Sequence, residues 1–183
     1  MKIAIATALY PPDATPVARY VKECASRLSE THETTVVLYG YLPEHVPNVR
    51  PVSVDKRAML PVRVWRFFFT LLRETRQHEV LIIENGPSVE LPALLVLLLT
   101  HTPAILIISD SVGIERTKKN IFYDYIHAFL KKRVGSIISD LPNDRPEILP
   151  FFPIEKEKLD AYQRSWEKHL TLLDTALTPY AGK

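Results

Sequence analysis

Asp110 is the residue of this 183-residue chain best suited to general base work. It follows the apolar run Pro103–Ser109, and a carboxylate placed there accepts a hydroxyl proton if its pKa suits the task. Asp110-Ser111, two residues before Gly113, is also turn chemistry, in which the carboxylate holds a backbone N–H. Arg19 and Tyr20 open a helical pattern. The free N–H groups and dipole at a helix start attract anions, and a guanidinium adds a charge-assisted bond. The plainer alternative is a solvated arginine beside a packed tyrosine. Asn85 and Gly86 follow another apolar run, where glycine permits close ligand approach or makes an ordinary turn. Glu115 and Arg116 follow Gly113, either as cleft residues or as a solvated pair. Asp13 and Thr15, in the loop before Arg19, and Ser109 beside Asp110 complete the candidate contacts.

Other chemistries are excluded. The dinucleotide fingerprint needs Gly-x-Gly-x-x-Gly after the first strand, and no glycine precedes Gly40. Histidines 32, 45, 78, 101, 127 and 169 have no metal spacing, and one cysteine cannot build a zinc site. No metal and no cofactor is expected. Ser109 and Ser111 lack a nucleophile-elbow context. Glu147 and Glu155 stand eight apart, but without the glycine and small-residue setting that would make the spacing meaningful. A net charge of +2 is too small to argue for nucleic acid.

The elements that must position these residues alternate. Lys2–Thr7, Thr35–Tyr39, Val49–Val54, Glu79–Glu84, Pro103–Ser109 and Ser136–Ser139 read as strands, with Glu147–Leu149 as a short last one. Between them Val17–Ser29, Leu60–Arg76, Ser88–Leu99 and Thr117–Arg133 read as helices, and Glu155–Leu177 as a long terminal one. Val21, Cys24, Ala25 and Leu28 form the apolar stripe of the first helix, which makes Cys24 a buried, inert thiol. This alternation predicts an α/β fold: a single doubly wound, Rossmann-like domain with a mostly parallel sheet, plus a C-terminal helix. Ile3, Ile5, Val36, Leu38, Leu81, Ile83, Ile105 and Ile107 should be buried. Ligands of such sheets bind outside the carboxyl ends of the strands. The loops Asp13–Arg19, Asn85–Ser88 and Ser109–Arg116 should therefore converge.

Hydrophobic content of 46% with 24% charged residues fits a soluble globular domain. The lone cysteine fits a reducing cytoplasm, and the N-terminus lacks signal-peptide regions. Leu91–Ile108 is apolar enough to raise a membrane span, but Thr100-His101-Thr102-Pro103 divides it into a core helix and a strand. Arg63–Arg76 interleaves Trp65, Phe67, Phe68 and Phe69 with four arginines. Such a helix either seats on anionic lipid or is a core helix whose arginines reach outward.

Tyr10-Pro11-Pro12-Asp13 followed by Ala18-Arg19-Tyr20 resembles the start of family 4 glycosyltransferases of the GT-B fold, with Ala14-Thr15-Pro16 where that family carries Gly-Gly. Arg27–Leu38 is similar to the family's helix-end and second-strand passage, with Thr31 in place of a glycine. Glu84-Asn85-Gly86-Pro87 with Leu91–Leu95, Ser109-Asp110 and Ser136–Ile154 follow in the family's order. The resemblance covers roughly residues 1–155, an N-terminal, acceptor-side domain, with 156–183 as a helix packing on it. It implies that Asp110 helps position an acceptor hydroxyl. It also implies a sugar or lipid-linked acceptor, a second chain supplying the nucleotide-sugar half, and peripheral contact at the inner membrane face through Arg63–Arg76. The functional expectation is the acceptor-binding half of a sugar transferase, inactive alone; the alternative is a degenerate, non-catalytic binding or scaffold domain.

Overall fold

The computed structural model describes residues 1–109, 120–144, 146 and 156–181. Among them are six strands: β1 (Lys2–Thr7), β2 (Glu33–Tyr39), β3 (Val49–Val54), β4 (Val80–Glu84), β5 (Ala104–Ile107) and β6 (Ser136–Ile138). The helices are α1 (Pro16–Leu28), α2 (Leu60–Thr75), α3 (Pro87–Thr100), α4 (Ile121–Arg133) and α5 (Lys156–Leu177), followed by a 3-10 turn at Thr178–Tyr180. The expected strand Glu147–Leu149 lies outside the described residues. The helix starts expected at Thr117 and Glu155 also lie outside them, and the remaining boundaries agree with the sequence pattern to within a few residues.

All strands pair in parallel in the order β3-β2-β1-β4-β5-β6. This is the doubly wound order, which reverses direction between β1 and β4 and opens a crevice there. Alternation along each strand assigns the faces. Ile3, Ile5, Val36, Leu38, Ile82, Ile105 and Ile107 face α1 and α5, joined by Trp166, Leu173 and Leu177. Ala4, Ala6, Val37, Leu81, Ile83 and Leu106 face the layer of α2, α3 and α4. The eight residues expected in the core are each 2% exposed or less. The sheet is thus covered on both sides, as an all-parallel sheet requires.

Local chemistry sets the helix ends. Thr15 accepts from the Ala18 N–H at 3.1 Å, and Pro16 occupies the first turn, where its missing N–H costs nothing. Asn120 caps α4 through the Phe122 N–H at 3.0 Å. His101 ends α3 in the left-handed region at φ 56°, and Pro103 prevents continuation. The Cys24 thiol is buried against the sheet, and burial pushes its pKa up to about 12, as an inert structural thiol should behave.

Candidate functional site

The crevice between β1 and β4 is floored by a polar cluster. Thr7 and Glu84 close β1 and β4, Ser109 lies two residues beyond β5, and all three project to the α1/α5 side, following Ile5, Ile82 and Ile107. The Ser109 hydroxyl lies 2.6 Å from one Glu84 oxygen, and the Thr7 hydroxyl 3.3 Å from the other. Thr7 also lies 2.9 Å from the Leu9 carbonyl, which competes for its single proton. Asn85 accepts from the Ser109 N–H at 2.7 Å, tying the β4 and β5 loops together. Glu84 and Asn85 are each 3% exposed. Glu84 therefore orients the hydroxyls at the crevice floor. Gly86 keeps its surroundings open, since an added Cβ would meet nothing within 4 Å. Its N–H donates to Glu90 at 3.2 Å, a carboxylate that also engages His127 at 3.0 Å. Asp110, Glu115 and Arg116 lie outside the described residues.

The loop after β1 forms the neighbouring wall. Its turn is closed by the Asp13 N–H on the Tyr10 carbonyl at 3.1 Å, with a cis Pro11-Pro12 bond. The Asp13 carboxylate pairs with Lys56 at 2.6 Å. Both line a hollow of about 340 Å³ with Tyr10, Tyr39 and Tyr41. The buried Tyr10 hydroxyl has no hydrogen-bond partner among the described residues. Burial, helped by Glu44, pushes its pKa up to about 12, so it stays a neutral donor. Arg57 stacks over Tyr41 at 4.5 Å. An aromatic hollow edged by an ion pair suits a polar ring with hydroxyl groups.

Arg19 and Tyr20 sit further along α1, facing α5. The Tyr20 ring stacks on Trp166 at 5.7 Å, and its hydroxyl donates to His169 Nε2 at 2.8 Å. His169 Nδ1 lies 2.8 Å from the Asp140 carbonyl, which only accepts, so Nδ1 carries the proton and Nε2 is bare. Burial lowers the His169 pKa against the opposing pull of Asp140. Burial raises that of Tyr20, with Cys24 and then Glu84 adding to it. The folded chain thus resists protonating His169, while the unfolded imidazole titrates near 6.5. This contribution to stability is complete above that value and is lost as pH falls toward the lower folded pKa. Urea unfolding from about pH 7.5 to about pH 5 should show this loss, up to about 1.4 kcal/mol per pH unit. The His169→Gln variant should show a shallower slope.

On the opposite layer α2 is divided. Phe67, Phe68 and Leu71 are buried, while Trp65 and Phe69 are 55% and 61% exposed. Arg66, Arg73 and Arg76 are also exposed. Glu74, buried beneath Arg50 and Arg73, is pushed up by burial but held below the usual carboxylate range by both guanidinium groups. Among the described residues no helix is long and apolar enough to cross a membrane, and no group of side chains has metal-ligand geometry.

No family model and no curated protein matches the chain. Solved structures match its fold. The chain is similar to Anabaena Alr3699/HepE, solved with UDP and glucose, at a TM-score of 0.55 and 11% identity, covering 90% of this chain and 41% of that one. It is also similar to a Listeria monocytogenes protein assigned as a UDP-N-acetylglucosamine 2-epimerase, at a TM-score of 0.51 and 10% identity, covering 76% and 38%. The chain thus resembles in fold a part of GT-B glycosyltransferases and epimerases, spanning about two fifths of their length.

Proposed function

We propose that this domain is the acceptor-side half of a sugar transferase of the GT-B, family 4-like kind. The nucleotide-sugar half lies outside these 183 residues. The observation that carries the reading is the crevice at the β1/β4 reversal: a buried Glu84 orienting Ser109 and Thr7, with the aromatic hollow of Tyr10, Tyr39 and Tyr41 beside it. Sugars are recognised by hydrogen bonds from fixed polar groups and by ring faces against aromatic side chains. In this reading Asp13, Thr15, Asn85, Gly86 and Ser109 belong to the acceptor site and Asp110, Glu115 and Arg116 extend it, whereas Arg19 and Tyr20 stand on the side of α1 that faces α5. Asp110 takes the acceptor proton in this reading.

Chemical-shift mapping with octyl β-D-glucopyranoside below its micelle threshold tests the site. Shifts should cluster on Tyr10–Thr15, Asn85, Gly86 and Ser109. Shifts confined to the amino edge of the sheet would overturn the assignment. A second reading, a non-catalytic binding or scaffold domain, draws on Thr15. Its hydroxyl is occupied in capping α1, where the resembled family carries Gly-Gly.

The acceptor is a lipid-linked sugar in this account, with α2 resting on the membrane. Met59, Leu60, Trp65 and Phe69 are exposed among Arg57, Arg66, Arg73 and Arg76, the chemistry of an interfacial helix on anionic lipid. The chain should pellet with phosphatidylglycerol vesicles at low salt and not with phosphatidylcholine alone. Replacing Trp65 and Phe69 together by alanine should reduce pelleting severalfold. Equal pelleting by the double variant would remove α2 from the contact.

A further inference from the structure

A second cavity lies away from the crevice, between the start of α1, the segment after β6, and α5. It encloses about 200 Å³. None of Glu84, Asn85, Gly86 or Ser109 lines it, so it stands independently of the carboxyl-edge reading.

Its wall is fixed by contacts between α1 and α5. Glu23 accepts from Arg27 at 2.9 Å, and Arg27 reaches Gln163 at 3.0 Å and lies over the Trp166 ring at 5.0 Å. The segment after β6 is anchored by the Asn143 N–H on Ser165 Oγ at 3.0 Å. Tyr162 and Trp166, 6% and 2% exposed, supply an apolar surface. These bonds hold the wall rigid before any ligand arrives, which lowers the entropy cost of binding.

The charges lining it differ in whether they are already paired. Lys22 is paired with Glu44 at 2.5 Å, and Glu23 with Arg27. Arg19 and Asp144 line the same cavity, and neither side chain has a hydrogen bond or ion pair among the described residues. The buried Trp166 Nε1 likewise has no acceptor among them. A guanidinium with five donors recognises phosphate. A carboxylate accepts hydroxyl protons, and the aromatic wall takes the C–H face of a ring. The volume is that of one hexose carrying a phosphate.

We infer that this cavity binds a small phosphorylated sugar or polyol, with its phosphate on Arg19 and its hydroxyls on Asp144. The chain's two tryptophans make the test simple. Trp166 lines the cavity, while Trp65 lies on α2 in the opposite layer. In ¹H–¹⁵N spectra, glucose 1-phosphate should move the Trp166 indole N–H saturably and leave that of Trp65 in place. Glucose alone should move neither, and inorganic phosphate should bind at least about tenfold more weakly than glucose 1-phosphate. Arg19→Ala, a change at an exposed side chain, should keep the folded spectrum and weaken glucose 1-phosphate binding about tenfold or more. Equal affinity for inorganic phosphate would mean an adventitious ion only and would overturn the inference. So would an unmoved Trp166 indole up to about 10 mM ligand, or unchanged affinity in Arg19→Ala. Each of these outcomes leaves the carboxyl-edge proposal standing, because that proposal predicts shifts at different residues.

Discussion

Phe67→Ala will destabilise the fold by about 3–5 kcal/mol, whereas Phe69→Ala, two residues along the same helix, will cost less than about 1 kcal/mol. Phe67 is fully buried and stacks on Tyr39 at 4.3 Å, over the inner face of the sheet. Its removal leaves a cavity that Ala4, Leu81 and Ile83 cannot collapse to fill, because strand pairing on both sides holds them. Phe69 is turned about 200° away on a helix with 3.6 residues per turn, is 61% exposed and has ring contacts with Trp65 and Phe68. Urea unfolding of both variants measures the difference. Similar losses for the two would mean that α2 does not seat on the sheet by the face described.

Much of this fold was legible because buried parallel strands are short, continuous apolar runs, and these are separated by helical stripes. KIAIAT, VLIIE and AILI gave the central strands directly, and Val21, Cys24, Ala25 and Leu28 gave the buried face of α1. The three phenylalanines of α2 left open whether the helix faced core or lipid. The structure divides them, two inward and one outward.

The polar chemistry was less legible, for reasons that can be named. Glu84 was visible only as the last letter of an apolar strand. Its importance depends on Thr7, at the end of β1, and Ser109, just beyond β5, reaching it from the strands on either side, which only the strand order reveals. The signal that was present is a lone carboxylate closing a central strand. The Tyr20–His169 bond joins residues 149 apart and leaves no local pattern. Arg19 reads as part of a phosphate site at a helix start, and in the structure it lines a cavity with Asp144, Tyr162 and Trp166. Asp13, read as a ligand contact, is paired with Lys56 from the loop after β3.

The chain alone should not transfer or hydrolyse a nucleotide-sugar at any measurable rate. Breaking the sugar–phosphate bond places charge on a leaving diphosphate, and that charge must be met by donors already in place. Loss of even one such donor typically costs about 10²–10³ in rate. In the proposed division of labour the clamp belongs to the other half, and the domain described here positions the acceptor. Lys56, the cation in the hollow beside the crevice, is already committed to Asp13. Glu84 is positioned to orient hydroxyl groups and to repel a phosphate. Acceptor binding without turnover is therefore the expected behaviour. The direct measurement is UDP release from UDP-glucose by the purified chain, with octyl β-D-glucopyranoside as acceptor. The account predicts release at the rate of a protein-free blank, and acceptor-dependent release by the chain alone would contradict it.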